Sequence, residues 1–138
     1  MNTRKVNAKQ CKMVAHRGCS GLEKENTLAA FIAAGNRSYW GVETDVHRTA
    51  DGEYVVIHDS ETGRVAGDNI VIENTSFEYI RSLRLKDIDG TRTRADLRIP
   101  TLREYIAICK KYEKNCVLEF KTVYTLEQVA EMVEIIKE

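Results

Sequence analysis

Proline is almost missing from this sequence: Pro100 is the only one in 138 residues. With no repeat and no low-complexity tract either, nothing reads as a stiff linker between domains, so a single compact unit is expected. Long apolar runs are missing too. None approaches the roughly 18 to 20 residues that a membrane-spanning helix needs. The stretch from Met1 to Lys12 is polar and basic, without the apolar segment of a signal peptide. These two absences predict a cytoplasmic protein. Neither sign of charge predominates, since 21 Lys and Arg balance 21 Asp and Glu. That balance excludes a basic stripe for a nucleic-acid backbone and names no macromolecular partner. The four cysteines (Cys11, Cys19, Cys109, Cys116) lack C-x-x-C spacing and read as reduced thiols.

What is present reads as alternating strands and helices. Met13 to Ala15 forms a short apolar strand ending at His16-Arg17-Gly18. Asn26 or Thr27 caps a helix running to about Ser38, with Leu28, Phe31, Ile32 and Gly35 at helical spacing. Gly41 to Arg48 is the second strand, with Glu43, Asp45 and His47 on one face. Asp51-Gly52 marks a hairpin, and Glu53 to Ile57 returns to His58-Asp59. Ser60 to Leu97 is polar, with a short helix from Thr75 to about Leu83 opened by a Thr75/Glu78 capping box. Thr101 and Glu104 box a helix to about Tyr112, Cys116 to Phe120 is a strand, and Thr125 and Gln128 open a last helix. On that helix Leu126, Val129, Ala130, Val133 and Ile136 form the apolar face. Strands so far apart in sequence imply a parallel sheet with helical crossovers, hence an α/β fold.

Charged residues collect at the C-terminal ends of these strands: His16, Glu43, Asp45, His58, Glu119 and Lys121. In parallel α/β architectures ligands bind at that edge. Three carboxylates brought together need a positive charge among them, and an all-oxygen set fits a hard divalent cation. Two histidines beside it can exchange protons near neutral pH. Singly, each has a plainer explanation, because a lone strand-end histidine is commonly structural and an E-x-D pair is commonly a solvated face. Cys19 could be a nucleophile, but no motif supports it. His47 lies beyond Asp45 toward the turn and reads as peripheral. The convergence favours a site.

Taken together, His16-Arg17-Gly18, Glu25-Asn26-Thr27, Glu43-x-Asp45-Val46, Thr49-x-Asp51-Gly52, His58-Asp59, Pro100-Thr101-Leu102 and Glu119-x-Lys121 resemble the glycerophosphodiester phosphodiesterase family. The resemblance runs from Met13 to Lys121. It implies a (β/α)8 TIM barrel of the phosphatidylinositol-phosphodiesterase-like type, with the activity of cleaving glycerophosphodiesters to an alcohol and sn-glycerol 3-phosphate. It implies His16 and His58 as the general acid/base pair, and Glu43, Asp45 and Glu119 as ligands of one Ca2+ or Mg2+ ion. Arg17 and Lys121 match residues that contact the substrate phosphate, and Asn26 a supporting position. Lys24 stands where the family often has proline. Ser60 to Asp68 follows the family's continuation loosely, with Arg64 matching its arginine.

A (β/α)8 barrel takes about 250 residues. Here only the first three barrel strands and the hairpin are legible, so the sequence reads as the N-terminal part of one phosphodiesterase domain, with unpaired sheet edges. Such a piece is expected to be unstable, oligomeric or inactive alone. Two rivals remain. One is a phospholipase D-type activity on lysophospholipids or sphingomyelin; the other is a non-catalytic binding fragment.

Overall fold

The structure, a computed structural model, describes residues 9–138; the polar stretch before Lys9 lies outside them. Among the described residues four strands and five α-helices follow one another, β1 Val14–Ala15, α1 Leu28–Gly35, β2 Gly41–Arg48, β3 Tyr54–Val56, α2 Gly63–Ala66, α3 Phe77–Ser82, α4 Leu102–Lys111, β4 Asn115–Phe120 and α5 Leu126–Lys137. A 3-10 turn, Ile72–Asn74, precedes α3. Among the described residues no helix is long and apolar enough to cross a membrane.

All three other strands pair with β2. Parallel β4 covers one edge from Gly41 to Val46, each residue opposite Asn115 to Phe120 in turn. The other edge is shared: parallel β1 takes Gly41 and Val42, and antiparallel β3 takes Val46 to Arg48. The hairpin forms at the Asp51-Gly52 signal, where Gly52 adopts φ 93°, a conformation that favours glycine. Its returning strand brings the chain back down β2, so that Ile57 N–H bonds the Asp45 carbonyl. β1 climbs the same edge from the opposite direction. His16 and His58 therefore arrive at one stretch of β2 from two ends.

The main core lies between the sheet and α1, α4 and α5. Phe31 and Tyr105 meet edge to face at 5.0 Å within it. The Tyr105 hydroxyl donates to the Val42 carbonyl (2.6 Å) and accepts from Val117 N–H (3.2 Å), stitching β2 to β4. Gly18, at φ 76°, lets the turn after β1 lie on α1, since a Cβ there would come within 2.7 Å of the Ala30 backbone.

Three expectations need correction. Ser60 to Leu97 is more than a polar connection: Val55, Ile57, Val65, Ile72, Ile80 and Leu97 help form a second buried apolar cluster. Its apolar residues are too irregularly spaced to show a period. The capping box before α3 does not form. Ser76 precedes the helix, and Phe77 N–H goes to the Asp51 carboxylate, which leaves no task for Thr75 there. The boxes at Thr101 and Thr125 do form. Finally, α5 buries Met132 and Ile135, with Val129 against the core, while Leu126, Val133 and Ile136 stay exposed. Its apolar residues span two adjoining faces, and periodicity alone does not say which meets the sheet.

Candidate active site

Asp45 is the centre of the polar constellation. It is completely buried, on the strand flanked on both edges. Glu43 precedes it by two residues and points the same way, and register places Glu119 directly opposite Asp45 on β4. One carboxylate oxygen from each of Glu43, Asp45 and Glu119 lies within 4.8 Å of the others, an arrangement able to hold a metal ion. Glu43 Oε1 and Asp45 Oδ1 are buried without a hydrogen-bond partner among the described residues. Burial pushes the Glu43 carboxyl above its usual range, partly offset by the Arg17 N–H, and the nearby Asp45 charge pushes the same way as burial.

The protein's own positive charges surround this cluster. Arg17 N–H donates to Glu43 Oε2 at 2.8 Å, an aim that comes from its left-handed backbone at φ 56°. The Arg17 guanidinium reaches Asp45 (3.5 Å) and Glu25 (3.2 Å). On the other flank Lys121 Nζ lies 2.8 Å from Glu119 and 3.5 Å from Asp45. Glu119 in turn raises the Lys121 ammonium pKa through their hydrogen bond. Asn26 is buried and also left-handed, at φ 52°. It does not cap α1, since Thr27 does. Instead its amide donates to Asp45 Oδ2 at 2.8 Å, and its oxygen accepts from Thr44 at 2.7 Å.

His16 Nε2 lies 3.8 Å from Glu43 Oε2, on a ring that is 67% exposed. His58 Nδ1 is 2.7 Å from Asp59 Oδ1. A carboxylate can only accept, so this bond fixes the proton on Nδ1 and leaves Nε2 as the other working atom. The His58 carbonyl meets His47 Nε2 at 3.3 Å; His47 is buried, and burial lowers its pKa. His47 thus supports the chain at His58. Cys19 is buried in the main core.

The sequence model of the glycerophosphoryl diester phosphodiesterase family matches residues 16–138. This chain belongs to that family. Among its relatives, glycerophosphodiester phosphodiesterase 1 of Bos taurus is 38% identical over 111 residues, covering 78% of this chain and 33% of the relative. A glycerophosphodiester phosphodiesterase of Caldanaerobacter subterraneus is 38% identical over 92 residues, 67% of this chain and 37% of the relative. Among solved structures, an Oleispira antarctica phosphodiesterase in complex with the product sn-glycerol-3-phosphate superposes with TM-score 0.82 at 32% identity. That match covers 93% of this chain and 52% of that one. A Thermotoga maritima glycerophosphodiester phosphodiesterase gives 0.72 at 29% identity, over 94% and 50%. The chain thus spans about a third of those relatives and about half of those structures.

Against the motifs of this phosphodiesterase family, sequence reasoning placed the carboxylates and histidines but gave no task to Glu25, Asp59 or Thr44. Glu25 accepts both terminal nitrogens of Arg64 at 2.8 Å, and Asp59 accepts Arg64 Nε at 2.6 Å. Glu25 and Asp59 sit inside the Glu25-Asn26-Thr27 and His58-Asp59 motifs, which was the available signal.

Proposed function

We propose that this chain supplies the catalytic centre of a divalent-metal-dependent phosphodiesterase that hydrolyses glycerophosphodiesters to an alcohol and sn-glycerol 3-phosphate. The single observation that carries this reading is the cluster of buried Glu43 and Asp45 with exposed Glu119, with histidines and basic side chains around it. Its unpartnered acceptors and all-carboxylate donors fit a hard cation, Ca2+ or Mg2+. Oxygens bound to one such ion at about 2.0–2.6 Å lie within about 5 Å of each other, matching the cluster's spread. Glu43, Asp45 and Glu119 would hold the ion. When bound, it supplies a Lewis acid that neutralises negative charge on the phosphodiester.

The remaining chemistry belongs to the side chains. Arg17 and Lys121 face the carboxylates from two flanks and offer positive charge to the phosphate oxygens. One histidine takes the proton from the attacking oxygen, either the free glycerol hydroxyl beside the phosphate or a water. The phosphorus–oxygen bond to the alcohol breaks, and the other histidine gives that oxygen a proton; where the glycerol hydroxyl attacks, water then opens the resulting cyclic phosphate, the two histidines exchanging roles, to leave sn-glycerol 3-phosphate. Asn26 holds Asp45, and so supports the centre without touching substrate.

We further propose that the fold is the first part of a (β/α)8 barrel of the phosphatidylinositol-phosphodiesterase-like type, with residues 49–99 as an insertion after its second strand. The outer edge of β4 has no strand partner among the described residues, and Val123 and Leu126 beside it are 96% and 90% exposed, which supports further β/α units on that side.

The test is release of glycerol 3-phosphate from glycerophosphocholine by the full-length protein, with Ca2+, with Mg2+ and with EDTA. Release should stop in EDTA and fall about 10²–10⁴-fold in His16→Ala and His58→Ala. Cleavage of lysophosphatidylcholine with none of glycerophosphocholine would replace this reading with a phospholipase D-type one.

A further inference from the structure

Arg64 lies in α2, outside the barrel strands, and touches none of the three carboxylates of the proposed metal centre. It nevertheless makes the densest set of ionic contacts near the site. Its two terminal nitrogens grip Glu25 at 2.8 Å each, and its Nε bonds Asp59 Oδ2 at 2.6 Å. The other Asp59 oxygen holds His58 Nδ1 at 2.7 Å. Glu25 is itself tied to Arg17, whose N–H donates to Glu43, and Glu43 faces His16. One continuous run of contacts therefore joins His58 to His16 around the carboxylates.

We propose that Arg64 is a positioning residue that fixes the tautomer and orientation of His58 through Asp59, with Glu25 as its anchor. This rests on the reading of His58 as an acid or base. The need for such a device follows from local geometry. The His58 main chain is already held, by His47 at its carbonyl and by β3 before it. The ring's own torsions are not. Asp59 is the adjacent residue and about one third exposed, so its carboxylate can turn to water as easily as to the imidazole. Arg64 removes that choice by binding one oxygen and presenting the other to Nδ1. The planar fork of an arginine can serve Glu25 and Asp59 together at fixed angles, whereas a lysine ammonium is a point charge without that geometry. The hydrogen bonds from Arg64 depress the Glu25 carboxyl and, with His58, draw the Asp59 carboxyl down to about 2, so both stay charged over the working range. Because Arg64 spans from α2 to the loop before α1, residues 60–97 act on the site through this contact as well as by their bulk.

The experiment reads His58 directly, by nitrogen-15 NMR of its imidazole in wild type, Arg64→Ala and Glu25→Gln, alongside steady-state kinetics. The sequence has three histidines, so spectra of His16→Ala and His47→Gln, each compared with wild type, assign the His58 signals. Wild type should show the proton on Nδ1. Arg64→Ala should show mixed tautomers, with kcat down about 10–100-fold and KM nearly unchanged, and methylguanidinium should restore part of kcat. Glu25→Gln keeps size and shape and should show a smaller change of the same kind. An Nδ1 proton unchanged in both variants overturns the proposal. So does a fall in kcat that the guanidinium does not rescue, since that describes a loss of folding support. If wild type cleaves no glycerophosphodiester, the functional reading fails, and the NMR comparison still decides the role of Arg64.

Discussion

Replacing Asn26 offers a test in which the usual order of alanine and glycine is reversed. Its side chain is 4% exposed, donates to the Asp45 carboxylate and accepts from Thr44. Removing the amide strips one charge-assisted hydrogen bond, worth about 1.5–3 kcal/mol, and leaves the Thr44 hydroxyl buried without an acceptor, at about 1 kcal/mol more. Water entering the vacated space recovers part of this, so Asn26→Gly should lose about 2–4 kcal/mol. Asn26→Ala loses the same contacts and also places a Cβ on a backbone at φ 52°, which adds about 1–2 kcal/mol. Alanine should therefore be the less stable variant, contrary to its ordinary advantage over glycine. Urea denaturation followed by Trp40 fluorescence measures both values. Calcium titration calorimetry should show affinity lower by about 10–100-fold in each, because Asp45 is no longer oriented. Alanine as stable as glycine, with calcium affinity unaltered, would refute both the strain and the orienting role.

Tyr105→Phe should destabilise by about 1–3 kcal/mol, since Val42 O and Val117 N–H lose the hydroxyl between them; a urea midpoint matching wild type would contradict this. Asp59 has a folded pKa drawn down to about 2, first by its hydrogen bond to Arg64 and then by His58. Its contribution is present above the unfolded value of about 4 and is lost as pH falls toward the folded one. Urea midpoints measured from pH 5 down to pH 2 should therefore fall more steeply in wild type than in Asp59→Asn, and parallel curves would argue against the linkage. Residues 1–138 alone should self-associate through the β4 edge and the exposed Val123 and Leu126. Sedimentation velocity should show this association, with Leu126→Glu shifting the population to monomer. A clean wild-type monomer with a cooperative thermal transition would contradict the proposal that these residues belong to a larger barrel.

Much of the site was legible because parallel strands deliver side chains of alternate residues to one edge. Glu43 and Asp45 at i and i+2 share a face as their spacing implied, and the pairing of β4 with β2, which spacing does not encode, sets Glu119 opposite Asp45. The hairpin signal at Asp51-Gly52 also explains how His58 reaches the level of Asp45 on an antiparallel strand. Capping boxes were readable where the box residues had no competing partner. At Thr75 the Asp51 carboxylate took the helix's first N–H instead, a contact spanning 26 residues that no local pattern encodes. The Glu25 and Arg64 pair is separated by 39 residues and belongs to the same class. The buried face of α5 was misjudged for a different reason: Leu126, Val133 and Ile136 are as apolar as the Met132 and Ile135 that bury, so hydrophobicity did not choose between them. The second core under residues 60–97 was hidden by charged residues that alternate irregularly with its apolar ones.

The most direct measurement is the stoichiometry of divalent-cation binding to the full-length protein by titration calorimetry, in wild type and Asp45→Asn. The account predicts one Ca2+ or Mg2+ per chain in wild type and no measurable binding in the variant. Binding that survives Asp45→Asn undiminished would contradict the claim that Glu43, Asp45 and Glu119 form the metal centre.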